Sequence, residues 1–207
     1  LRHIATGSVH LVCVDPPYYD NVQYAELSDF FYVWLKRTVG DRYPDWFQTA
    51  LADKDAEAGA NPARFADFGR KAKDLATGDY ERKMTAAFRE MERVLRPDGG
   101  LTVMFTHKRV EAWDSLATAL IGAGFRIAAS WPVHTESEHS LHQAKKNAAA
   151  STIILVCRKR AVSTAPVWWE DLTGTVRRVA RLRAKEFAAQ GIGGVDLYIS
   201  SFGPVLS

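Results

Sequence analysis

Asp15-Pro16-Pro17-Tyr18 is the stretch of this sequence whose residue types could do chemistry together. It is fed by Val9-His10-Leu11-Val12-Cys13-Val14, a short apolar run that reads as a buried strand. Neither proline can donate a ladder hydrogen bond, so the strand must end at Asp15. Asp15 therefore stands at the carboxyl end of a strand, where open α/β sheets place their ligands. Pro16 and Pro17 stiffen the loop and hold Tyr18 and Tyr19 beside the carboxylate. A carboxylate, a proline carbonyl with no competing N–H and a planar ring make a clamp for a flat base with an exocyclic amine. The plainer alternative is a strand-ending turn with Tyr18 packed inward.

Asp15-Pro16-Pro17-Tyr18 resembles the catalytic motif of S-adenosylmethionine-dependent DNA amino-methyltransferases. The longer run from Asp15 through Tyr19, Asp20, Asn21, Gln23, Tyr24, Phe30, Phe31 and Trp34 to Arg37 resembles the DUF1156-type adenine-specific DNA methylases of bacteria and archaea. The likeness extends from about Gly7 to Pro204. It implies a Rossmann-like class I methyltransferase fold, α/β with a mainly parallel sheet and a terminal antiparallel strand. It also implies S-adenosyl-L-methionine as methyl donor and DNA as partner. Asp15, Pro16, Pro17 and Tyr18 would be catalytic, and Asp15 and Pro16 would also face the donor. Tyr19, Asn21 and Lys108 would meet the substrate, although Tyr19 and Asn21 are also suited to shaping the loop.

The chemistry fits these residue types. The exocyclic amine of adenine is a poor nucleophile because its lone pair is delocalised into the ring. Hydrogen bonds accepted from its two N–H groups, by Asp15 and by the Pro16 carbonyl, turn the nitrogen toward sp³. This is positioning and electrostatics without a covalent intermediate. The base must leave its duplex, at a cost of about a few kcal/mol. Stacking on Tyr18 returns roughly 1–3 kcal/mol. The same clamp suits N4 of cytosine, and more distantly an RNA base or a protein amide. Methylation at C5 of cytosine needs a cysteine in a Pro-Cys loop, and neither Cys13 nor Cys157 sits in one. From a different class, a DNA-binding module of methyltransferase fold without catalysis would keep the same sequence features.

Around this stretch the periodicity predicts helix and strand in alternation. Leu27, Phe30, Phe31, Trp34 and Leu35 recur at helical spacing, with Ser28 or Asp29 as a start and with Phe31 and Trp34 expected in the core. Residues 40–78, broken by Pro44, Gly59, Pro62, Gly69 and Gly78, read as a long excursion with short helical pieces, which the resemblance to these methylases would put on the substrate side of the sheet. Asp79–Leu95 carries an apolar stripe through Met84, Phe88 and Met91 and ends at Arg96-Pro97-Asp98-Gly99-Gly100. A strand at Leu101–Thr106, a helix at Glu111–Ala123 and strands at Phe125–Val133 and Ser151–Arg158 follow, the last two able to pair antiparallel. A helix from Trp168 to Gln190 carries Arg177, Arg178, Arg181, Arg183 and Lys185, which either track phosphates or form a solvated face. Val195–Phe202 reads as a further strand.

Thr106-His107-Lys108 leaves its strand on the same edge as Asp15, and Lys108 either meets a phosphate or is simply solvated. His134, Glu136, His139 and His142 crowd a polar loop, but their spacing fits no closed zinc pattern, so no metal is expected. The glycine-rich turn that cradles a methyl donor is not found after the first strand. Gly191-Ile192-Gly193-Gly194 follows a helix and reads as its cap, while Phe202-Gly203-Pro204 would serve only in a permuted order. The expected organisation is therefore residues 1–160 as the catalytic part, strands four to seven of the methyltransferase sheet. Residues 161–207 form a helical extension, and the donor-binding motif belongs to an upstream part of the same protein.

Composition sets bounds. At 207 residues with 47% hydrophobic and 25% charged content, the chain has ample length for a core. A net charge of +3 does not by itself point to nucleic acid. No apolar run is long enough to span a bilayer, and no signal peptide is recognised. Cys13 and Cys157 fall in expected core strands and read as reduced thiols of a cytoplasmic protein. Nothing in the sequence speaks to oligomeric state.

Overall fold

The computed structural model describes residues 1–134, 151–160, 168–193, 197, 200 and 201. The chain divides into a sheet unit, residues 1–16 with 81–207, and a loop unit, residues 17–80.

The sheet unit is built on β1 (Val9–Val14), β2 (Leu95–Phe105), β3 (Phe125–His134) and β4 (Ser151–Lys159), in the order β1-β2-β4-β3. β1 and β2 are parallel, with Val14 opposite Val103. The last strand pairs antiparallel with β3, as expected, and places Ile127 opposite Cys157. It also pairs antiparallel with β2, Leu101 opposite Cys157. The pairing is therefore mixed: β1, β2 and β3 run one way, but two of the three pairings are antiparallel because β4 lies reversed between β2 and β3.

β1 corrects a second expectation. It is an edge strand, with Leu11 59% exposed and Cys13 also exposed. A β-branched run reads as buried on both faces, but β1 has only β2 beside it among the described strands. Cys157, in the interior strand, is buried as expected, and burial pushes its thiol up to about 12. A thiol so protonated is a poor nucleophile.

Two helices cover the sheet unit's core. α2 (Ala72–Val94) buries Met84, Phe88 and Val94, and α3 (Val110–Gly122) buries Trp113, Leu116, Ala117 and Leu120 at helical spacing. The Phe105 and Trp113 rings meet edge to face at 5.0 Å. α2 starts seven residues before Asp79 and runs through Gly78, because Ala76 and Tyr80 are buried on its early turns. β2 then follows without a loop. Arg96–Gly99, expected as a turn, is absorbed as an irregularity, with Val9 opposite Leu95 but Leu11 opposite Gly100. Gly99 suits this close approach, since a Cβ would lie 3.0 Å from the Arg96 carbonyl oxygen and 3.1 Å from that of His10 and would press both aside.

α3 (Val110–Gly122) and α4 (Trp169–Ala189) lie within a residue or two of their expected bounds. Gly191, at φ 86°, closes α4 as a left-handed glycine should. Of the strand expected at 195–202, the described residues Leu197, Ser200 and Ser201 are helical instead. The 161–166 linker and the polar loop beyond His134 lie outside the described residues.

In the loop unit, α1 (Tyr24–Val39) begins four residues before Ser28. Its cap is not local: Glu57 Oε1 accepts from the Tyr24 N–H at 2.6 Å. Asp29 instead pairs with Lys54 and accepts from the Ala52 N–H. Bonds from Tyr32 and Lys36 to Thr49 hold this same side of α1. The apolar stripe therefore faces outward, with Phe31 65% and Trp34 54% exposed, against the expectation of core packing. The excursion after α1 contains two 3₁₀ segments, Pro44–Trp46 and Pro62–Lys71, the second broken at Gly69. Among the described residues no helix is long and apolar enough to cross a membrane.

Candidate base-binding strand end

Because β1 and β2 run parallel, Asp15 and Thr106-His107-Lys108 leave the sheet on the same edge. Asp15 is exposed directly after Val14, and Lys108 is exposed beyond Phe105. His107 between them is only 3% exposed. Its Nδ1 accepts from the Arg109 N–H at 3.1 Å, and its carbonyl accepts from Trp113 Nε1–H at 2.9 Å. An accepting Nδ1 requires the neutral ring with its proton on Nε2. Burial holds the imidazole below its usual pKa.

That shift predicts a pH dependence. The unfolded chain takes up the His107 proton near pH 6.5, and the folded chain only at lower pH. Stability should therefore be complete above about 6.5 and decline as pH falls through the window below it. Melting curves at a series of pH values should show this decline, and His107→Gln should flatten it. An unchanged slope in His107→Gln would assign the acid sensitivity to other groups.

Asp15 and Pro16 close the sheet unit and Pro17 opens the loop unit, where the rest of the motif is firmly built. The Pro17 carbonyl accepts from Tyr80 Oη at 2.9 Å and from the Tyr19 N–H at 3.0 Å. None of these bonds uses the Pro16 carbonyl, the acceptor required by the sequence reading. The Tyr18 carbonyl accepts from the Asn21 N–H at 3.0 Å, which closes the turn. Tyr18 is half-buried and Asn21 is exposed.

Tyr19 is only 4% exposed and adopts φ 55°, uncommon for a bulky residue. Its hydroxyl shares a 2.7 Å bond with Thr77 Oγ1, and its ring meets Tyr80 edge to face at 5.3 Å. Its carbonyl accepts from the Ala60 N–H at 2.9 Å. Of the two uses the sequence left open for Tyr19, the geometry matches loop shaping, because an inward ring has no face left for a ligand. Tyr80 is fully buried, and burial pushes its phenol up.

Sequence reasoning did not name Tyr80 or Thr77 as parts of this region. Tyr80 carries a signal, since it lies four residues before Met84 and eight before Phe88 on the stripe of α2, all three buried. Its bond to Pro17, 63 residues away, leaves no trace in local periodicity. Among the described residues no cluster of His, Cys, Asp and Glu could hold a metal ion. Glu136, His139 and His142 lie outside the described residues, as does the His134 side chain.

No family model matches the chain. No curated protein sequence matches it either. Among solved structures, it is similar to TTHA0409 of Thermus thermophilus, provisionally described as a DNA modification methylase, as a selenomethionine derivative at TM-score 0.36 and 16% identity. This covers 90% of the present chain and 57% of that one. The same protein complexed with S-adenosyl-L-methionine gives TM-score 0.35, 16% identity and coverage of 90% and 58%. The chain thus spans little more than half the length of the solved protein that it resembles.

Proposed function

We propose that this chain carries the base-accepting part of an S-adenosylmethionine-dependent DNA methyltransferase acting on N6 of adenine. One observation supports the reading above others: Asp15-Pro16-Pro17-Tyr18 begins where a strand of a parallel pair ends, with the Asp15 side exposed and the Pro17 carbonyl already bonded. Asp15 and the Pro16 carbonyl accept the two amine hydrogens, and Tyr18 offers a ring to the extruded base. Catalysis on this side is the positioning of a nitrogen lone pair. N4 of cytosine presents the same amine on a flat ring and stays the alternative.

The methyl donor supplies an electrophilic carbon when bound. Among the described residues no glycine-rich turn follows β1 or β2 to cradle its nucleoside. The fit is therefore limited to the end where Asp15 and Pro16 would face the transferred methyl, and the nucleoside cradle is assigned to another part of the protein. Isothermal titration of residues 1–207 with S-adenosylmethionine should give little or no heat. A tight one-to-one complex would place the cradle within these residues after all.

The decisive experiment is transfer of a labelled methyl group to unmethylated duplex DNA by the full-length protein, with nucleoside analysis of the product. N6-methyladenine is expected. N4-methylcytosine would move the reading to cytosine, and an absence of transfer to any DNA would favour a non-catalytic DNA-binding module.

A further inference from the structure

We infer that α4 is a docking surface for the phosphate backbone of a DNA duplex, formed by Arg177, Arg181 and Lys185 with Arg178 beside them. Between Asp171 and Glu186 the helix carries five cations and no acidic residue. Arg177, Arg181 and Lys185 are spaced i, i+4 and i+8, so they share one stripe of the helix. All four residues of the surface are exposed. The side through Val176, Val179, Ala180 and Phe187 is half-buried to buried, while Leu172 and Leu182 are exposed. α4 thus turns that side inward and the four cations outward.

A solvated charged face does not account for this pattern. Solvated helix faces mix signs, and acids four residues from bases add stability. Here like charges repeat at i, i+4, which destabilises a helix. Among the described residues, Arg183 is the one α4 cation with an acidic partner, Glu186 at 2.8 Å, and it lies off the stripe. A local rule broken without compensation within the fold points to a use outside it.

The dimensions select the partner. Four residues of helix rise about 6 Å, so the row from Arg177 to Lys185 spans about 12 Å. One DNA strand carries a phosphate per roughly 3.4 Å of duplex axis, so such a row covers about three successive phosphates. Arginine, which supplies three of the four cations, binds phosphate in a planar two-pronged fashion that lysine cannot match. The identification of the polyanion as DNA rests on the function proposed above, whereas the polyanion surface itself rests on α4 alone.

The test is fluorescence anisotropy of a labelled duplex with the full-length protein, repeated from about 50 to about 200 mM salt. The triple variant Arg177→Gln, Arg181→Gln, Lys185→Gln should reduce the slope of log affinity against log salt by about three. Each lost phosphate contact removes about 0.9 from that slope. Affinity near 0.1 M salt should fall about a hundredfold. Arg177→Lys with Arg181→Lys should recover much of the loss, which separates charge from misfolding. Arg70→Gln, Lys71→Gln, Lys73→Gln removes the same charge from an exposed part of the loop unit and should change affinity little.

Equal losses from the two triple variants would reduce the effect to net charge and overturn the inference. So would an α4 variant that keeps duplex affinity while losing affinity for anionic phosphatidylserine vesicles. Duplex binding that depends on α4 without any methyl transfer would sink the proposed reaction and leave this inference standing. Methyl transfer and duplex affinity both indifferent to α4 would do the reverse.

Discussion

Asp15→Ala should lower methyl transfer by about two to three decades while leaving the melting temperature within a degree or two of wild type. The activity loss follows from the role proposed for the carboxylate. In that role it would meet the amine most strongly as the nitrogen turns toward sp³ and gains positive charge, so its contribution would grow on the way to the transition state. Removing one preorganised group of that kind costs about 10²–10³ in kcat. The loss should appear in single-turnover rate, with DNA affinity little changed. The stability side follows from position. Asp15 is exposed at the end of an edge strand, and exposed substitutions away from packing features usually stay within about ±0.5 kcal/mol. Asp15→Asn keeps one acceptor oxygen but turns an N–H toward the amine, so it should rescue little. If Asp15→Ala and wild type transfer methyl at equal rates, Asp15 has no catalytic part. If the variant melts early, the carboxylate is structural.

What was legible from the sequence is what local rules decide. The strand stop at Asp15 follows from two prolines, and the stripe Trp113, Leu116, Ala117, Leu120 announces α3 without knowledge of its neighbours. The end of α4 is readable because a glycine at positive φ is the common way to finish a helix. What failed was decided at a distance. The place of β4 between β2 and β3 depends on which strands it meets on each side, and an apolar run carries no address. α1 starts at Tyr24 because a carboxylate 33 residues away caps it, which overrode the local signals at Ser28 and Asp29. Its aromatic stripe points outward because Asp29, Tyr32 and Lys36 are tied down on the other side. The candidate site shows the same split. Its residue types were readable as a clamp, but the sorting of Tyr18 from Tyr19 required the partners Thr77 and Tyr80.

That sorting yields the second large effect, a crossed pair of alanine substitutions. Tyr19→Ala should destabilise the fold by about 3–5 kcal/mol, the scale for truncating a large buried aromatic. For a chain of this size the melting temperature should fall on the order of ten degrees. Tyr19→Phe should lose only the hydroxyl bond to Thr77, about 1 kcal/mol. Tyr18 is half-buried, so Tyr18→Ala should cost clearly less stability than Tyr19→Ala. Its effect should instead fall on activity, since a lost stacking ring forfeits roughly 1–3 kcal/mol, up to about two decades. Tyr18→Phe should keep most activity, because the ring face is retained. The deficit of Tyr18→Ala should also shrink on a mismatched or single-stranded target, where extrusion of the base costs less. Melting curves and transfer rates on paired and mismatched duplexes, measured for the same four variants, decide the matter. A Tyr18→Ala protein that melts as early as Tyr19→Ala, with a deficit indifferent to pairing, would make Tyr18 a packing residue and leave the base to another ring.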